Sequence, residues 1–161
     1  MAQGKKTALP SVQPSQADYE ALAEFRYLIR RFLEFSQTAA RAVGLAPAQH
    51  QALLAIKGSP AGCPVTIGDL AEHLRIRHHS AVELVDRLSA AGLVVRTHDA
   101  HDHRRVVLSL TRLANRHLAE LSATHLDELA RLRPALKRIL AGQRNMQAAH
   151  ERSSSAHQAE S

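Results

Sequence analysis

At 161 residues the chain has room for one domain with a core of its own plus tails, and not for two independent domains. It carries 21 Lys and Arg against 15 Asp and Glu, a net charge of +6 with a pI near 10.2, and its 11 histidines can add to that charge, so a polyanion is the natural partner. The single cysteine, Cys63, forbids an intrachain disulfide, there is no charged start with an apolar centre to read as a secretion signal, and no apolar run approaches the roughly 18 residues of a bilayer span, so the expectation is a cytoplasmic protein without a membrane segment.

Residues 1–14 combine small, polar, Lys and Pro residues without a hydrophobic period and read as a disordered tail. A long amphipathic helix is predicted from about Ser15 to Ala42, because Leu22, Phe25, Leu28 or Ile29, Phe32 and Ala39 recur at three-to-four spacing and Gly44 follows. "PAQHQALLAIKG" restarts a helix with Pro47 in its first turn and stops at Gly58. After a Gly/Pro loop, Val65 and Thr66 suit a short strand, and "IGDLAEHL" follows as a helix with Thr66 as its cap and Asp69 in its first turn. Cys63 sits in that loop with no neighbouring cationic cluster, which gives no ground for a reactive thiol.

Another helix covers about His78 to Ala91, closed by Gly92, and "LVVRT" with "RVVLSL" forms a hairpin. Thr111 reads as the cap of a long helix that Pro134 is expected to break, leaving "PALKRILAG" as a short sixth helix and residues 143–161 as a mobile tail. The fold class is therefore mainly α, an α+β winged helix-turn-helix of about six helices and a β-hairpin, within a single domain at 15–142.

The two helices between Thr66 and Ala91 carry the functional argument. Leu70, Ala71 and Leu74 share one face of the first, and Ala81, Leu84 or Val85, and Leu88 share one face of the second, with Ile76 in the polar turn between. The opposite face of the second helix begins at Arg77, His78, His79 and Ser80 and continues through Val82, Glu83, Asp86 and Arg87. In a helix-turn-helix that face enters the major groove: the histidines can donate to guanine or phosphate, Val82 can touch a thymine methyl, and Glu83 can accept from cytosine N4. The hairpin then acts as a wing whose Arg104 or Arg105 reaches the neighbouring minor groove, and Asp102 holds Arg104 or Arg87 in position.

"HHSAVELVDRLSAAGLVVR", then Asp102-x-Arg104, then Leu110-Thr111, resembles the multiple-antibiotic-resistance regulator (MarR) family over roughly residues 18–142, with Ala114 standing where the family often has Gly. The resemblance implies a homodimeric transcription regulator on a pseudo-palindromic operator, a ligand-responsive repressor. Its DNA-binding part would lie at about 47–111 and its dimerisation helices at about 15–43 and 112–142. It also implies an effector pocket lined by Phe32, Phe35 and His50 for a small aromatic or phenolic molecule.

Two rivals stand beside this reading. His98, His101 and His103 in the wing, with His78 and His79, raise a metal-responsive regulator. Residues 65–111 hold six Lys or Arg against six acids, so that stretch is neutral unless its six histidines charge, which leaves room for a dimeric protein-interaction module that has lost DNA binding. No phosphate loop, nucleophile elbow or other catalytic pattern is present; no enzyme and no cofactor are expected.

Overall fold

Two of the helices open on a reciprocal pair of side-chain and backbone hydrogen bonds. The computed structural model describes residues 14–60, 63–99, 102 and 105–158, with side chains to 141. Its element order is α1 (Gln16–Ala42), α2 (Pro47–Lys57), β1 (Val65–Thr66), α3 (Ile67–Leu74), α4 (His78–Ala90), β2 (Val94–His98), β3 (Val106–Leu110) and α5 (Arg112–Gln158). Ser15 and Asp18 open α1 reciprocally: the Asp18 carboxylate accepts from the Ser15 N–H at 2.7 Å, and the Ser15 hydroxyl accepts from the Asp18 N–H at 3.3 Å. Thr66 and Asp69 do the same for α3, with Thr66 N–H to Asp69 Oδ2 at 2.9 Å and Asp69 N–H to Thr66 Oγ1 at 3.2 Å.

The chain divides into two compact units, residues 32–130 and residues 1–31 with 131–161. In the first, a three-stranded antiparallel sheet of order β1-β3-β2 lies beside α2, α3 and α4. Its register pairs Val65 with Leu108, and Val94 with Leu110 through to His98 with Val106. Leu53, Leu70, Val85 and Leu88 are wholly enclosed, and Ala52, Leu84, Leu93, Val94 and Leu108 complete this core. In the second unit Leu28, Leu132 and Ile139 are buried, and Arg138 donates to Glu24 at 3.1 Å.

The junction between α4 and the hairpin is fixed by backbone chemistry. Gly92, at φ +66°, donates to the Ser89 carbonyl at 3.0 Å while Leu93 N–H reaches Leu88 O at 2.9 Å, so two terminal carbonyls of α4 are satisfied in a conformation that glycine adopts freely. Thr111 then ties the other end of the hairpin back. Its hydroxyl donates to Gly92 O at 2.8 Å and accepts from Ala114 N–H at 3.2 Å, which caps α5.

Two sequence expectations are corrected. The described residues form five helices, not six, because Pro134 lies inside α5. Proline removes one helix hydrogen bond and crowds the preceding turn at about 3 kcal/mol, but Leu132 and Ile139 on either side are buried, and that burial favours continuation over a break. The same helix carries on to Gln158, so the backbone at 143–158 is helical where composition suggests a tail. The tail expected at the N-terminus lies, up to residue 13, outside the described residues.

Candidate nucleic-acid interface and an enclosed imidazole cluster

The periodicity of α4 separates its two faces. Ala81, Leu84, Val85 and Leu88 are buried against the core, as the sequence predicts, while Arg77, His78, His79, Glu83, Asp86 and Arg87 are exposed. Ser80 and Val82 are half-buried, so they sit at the margin of the outward face rather than at its centre. Arg77 is the residue before the helix, in extended backbone, and its side chain makes no capping bond. The first-turn N–H groups of α4 therefore keep their partial positive charge toward whatever approaches that end.

The wing lies beside this face, and an ion pair ties it there. Asp86 on α4 pairs with Arg96 on β2, which ties the outward face to the first wing strand. That pair also changes the electrostatic argument, because one of the two acids on the recognition face is neutralised by a neighbour within the same chain. Arg105, at the base of the second wing strand, is exposed, and its charge acts on Asp69 at the start of α3. The Asp69 carboxyl is held below the usual carboxylate range, first by the Thr66 hydroxyl, then by the Thr66 N–H, with the Arg105 charge adding to them.

In the wing loop, Arg105 N–H donates to Asp102 O at 2.9 Å and Asp99 N–H to Arg105 O at 3.0 Å. Asp102 is exposed; Arg104, His101 and His103 lie outside the described residues. Among the described residues no three His, Cys, Asp or Glu side chains converge as metal ligands. Sequence reasoning did not pair Asp86 with Arg96. The available signal was an acid late in the helix followed, just past the Gly92 turn, by an arginine in the strand that leaves it.

Phe32, Phe35 and His50 come together around a residue the sequence reading passed over, His125 on α5. Its ring lies 4.9 Å from that of His50, tilted by 39°, and meets Phe32 and Phe35 edge-on at 5.9 and 5.7 Å. The His125 Nδ1 lies 2.5 Å from Leu121 O and its Nε2 lies 2.7 Å from Ser36 Oγ. A carbonyl can only accept, so Nδ1 carries a proton, and in the neutral ring Nε2 accepts from the Ser36 hydroxyl.

His50 is buried, and burial first, then the neighbouring His125, pushes its pKa below the ordinary 6.5. The signal for His125 was its spacing: Ala114, Leu118, Leu121, His125 and Leu132 fall on one helical face, of which all but His125 are apolar and buried.

A helix-turn-helix with an exposed charged reading helix, a β-hairpin wing tied to that helix and long flanking helices defines a winged-helix DNA-binding transcription regulator. Comparison with known proteins agrees. Residues 43–105 match the model of the MarR family. YcgE, an HTH-type transcriptional regulator of Bacillus subtilis (strain 168), is 36% identical over 107 residues, which cover 66% of this chain and 68% of that protein. The chain belongs to the MarR family.

Solved structures share the fold at lower identity. A MarR family protein from Bacillus stearothermophilus superposes with a TM-score of 0.66 at 20% identity, covering 89% of this chain and 99% of that one. CouR from Rhodococcus jostii RHA1, bound to p-coumaroyl-CoA, gives 0.64 at 22%, covering 82% and 92%. A mutant of S. aureus MepR bound to an oligodeoxyribonucleotide gives 0.58 at 18%, covering 81% and 96%.

Proposed function

We propose that the protein is a cytoplasmic, homodimeric repressor that binds a pseudo-palindromic operator, with the outward face of α4 in the major groove and the wing in the minor groove. The observation that carries this is the two-sided α4, apolar and enclosed on one side, charged and exposed on the other, with the wing strand fastened to it through Asp86 and Arg96. Arg77, His78, His79 and Arg87 supply the cations of the reading face, Ser80, Val82 and Glu83 the base contacts, and Arg104 with Arg105 the wing charges. Asp102 positions Arg104 or Arg87. The DNA-bound MepR structure supports the assignment by fold.

Dimerisation through about 15–43 and 112–142 has support in the exposed apolar residues of α1 and α5. Leu22, Phe25, Ile29, Leu126, Leu129 and Leu140 are each at least 40% exposed, and burying such side chains against a second copy contributes about 25 cal/mol per Å² of apolar surface removed from water. Among the other α5 leucines, Leu118, Leu121 and Leu132 are already covered within the chain.

Phe32, Phe35 and His50 are proposed to receive a small aromatic or phenolic effector by parting from His125; that CouR, which shares the fold, is bound to p-coumaroyl-CoA supports an effector. The effector releases DNA only if it binds more tightly to the spacing of recognition helices that does not fit the operator. No catalytic step is assigned.

The proposal is tested by titrating duplex DNA at increasing salt. A dimer that neutralises phosphates loses affinity linearly in log salt, with a slope of about −0.9 per phosphate. Absence of duplex binding at low salt would instead favour a protein-interaction module.

A further inference from the structure

Between α2 and α3, away from the ring cluster, a cleft of about 540 Å³ lies in the DNA-binding unit. Leu54, Ala55 and Leu74 form its apolar lining, and Gln51, His73 and Arg75 supply its polar groups. Leu54 is unusual on α2: its neighbours Ala52, Leu53 and Ile56 are buried, yet it is 47% exposed and lines the opening.

Arg75 is the one non-glycine residue with positive φ among the described residues, at +54°. Its N–H donates to Glu72 O at 3.1 Å and Ile76 N–H to Ala71 O at 3.0 Å, so the helix end fixes the Arg75 backbone beside the cleft in a conformation that side-chain-bearing residues seldom adopt. The lining residues include a guanidinium and an imidazole but no carboxylate. A smaller cavity of about 180 Å³ shares Ala55, Gly58 and His73 and is lined further along by Asp69, which marks the end an anion avoids.

We propose that the α2–α3 cleft binds an amphipathic organic monoanion, with its carboxylate at Arg75 and its apolar body along Leu54, Leu74 and Ala55. The volume falls in the range of small-molecule sites, and the pairing of apolar walls with an arginine and no lining carboxylate favours that chemistry over neutral or cationic ligands of the same size. This site is separate from the effector pocket proposed around Phe32, Phe35 and His50. It also acts at a shorter range, since Arg75 stands three residues before the start of α4.

The test uses the full chain without DNA, so its outcome is independent of the DNA-binding proposal. Octanoate, octanol and octylammonium are titrated while backbone amide resonances are followed. Octanoate is expected to bind saturably and shift Leu54, Gly58, Leu74 and Arg75, with octanol and octylammonium weaker by about tenfold or more.

Arg75→Gln is expected to reduce octanoate affinity about tenfold while leaving octanol binding unchanged. Leu54→Gln, at a position 47% exposed, is expected to weaken both. Equal affinity for octanoate and octylammonium, no saturation at millimolar concentration, or shifts confined to Phe32, Ser36 and His125 would overturn the proposal. So would a drop in association state on Leu54→Gln, which would make the cleft a contact between two copies of the chain.

Discussion

Two pairs of histidines in this molecule, His78 with His79 and His50 with His125, sit in opposite surroundings. On α4, His78 and His79 stand exposed at the start of the reading helix, where each proton gained adds positive charge to a face proposed to meet phosphate. Around α5, His50 and His125 lie ring against ring beside two phenylalanines, with His50 buried and His125 half-buried, so a proton on His50 brings charge out of water. The same side chain is therefore proposed to serve affinity in one place and stability in the other. What decides between them is access to water, which the local sequence does not display.

That contrast can be broken at several points. The largest effect is expected from His125→Ala, which removes three ring contacts and the bonds to Ser36 and Leu121: urea unfolding should show a loss of about 2–4 kcal/mol, by analogy with other large-to-small changes at enclosed rings. Unaltered stability would mean that the cluster does not hold the unit together. Next, Arg104→Ala is expected to weaken operator binding by about 1–3 kcal/mol while leaving the urea midpoint where it was. An unchanged binding constant would show the wing arginine to be idle.

Asp86→Asn should have a smaller consequence. The Asp86 and Arg96 side chains are 57% and 35% exposed, so solvent screens the pair and its loss should lower stability by less than about 1 kcal/mol. Its effect belongs in the wing's placement, read as a change in sequence preference. A large fall in unfolding midpoint would show that the pair supports the fold instead.

The comparison is sharpened by pH. His50 has a folded-state pKa below 6.5, so the unfolded chain binds the proton more readily, and stability is fully present above that value and declines as pH falls through and below it. Urea unfolding at a series of pH values checks this: stability that stays flat from about pH 7 to 5 would contradict the buried placement of His50.

How far the sequence disclosed these regions follows from the kind of signal each leaves. The reading helix was legible because its period is regular: Ala81, Leu84, Val85 and Leu88 recur on one face, and all four are buried. The hairpin was legible from its β-branched runs and its flanking Gly92 and Thr111, both of which make the bonds expected of them.

Pro134 misled because a local rule about proline says nothing of the burial of Leu132 and Ile139 beside it. His125 was missed because a histidine on an apolar stripe reads as an interruption, and its partners His50 and Ser36 are 75 and 89 residues away in sequence. The Asp86–Arg96 pair, spanning a helix and the strand after it, likewise needs the turn geometry to become visible.

The central claim is that α4 reads bases through its outward face in a paired arrangement. It is met most directly by selecting bound fragments from random duplex DNA and footprinting the selected sequence. The account predicts an enriched inverted repeat, with two major-groove contacts about one helical turn apart, each flanked by minor-groove protection. Recovery of no preferred sequence, or of a single unpaired half-site, would contradict it.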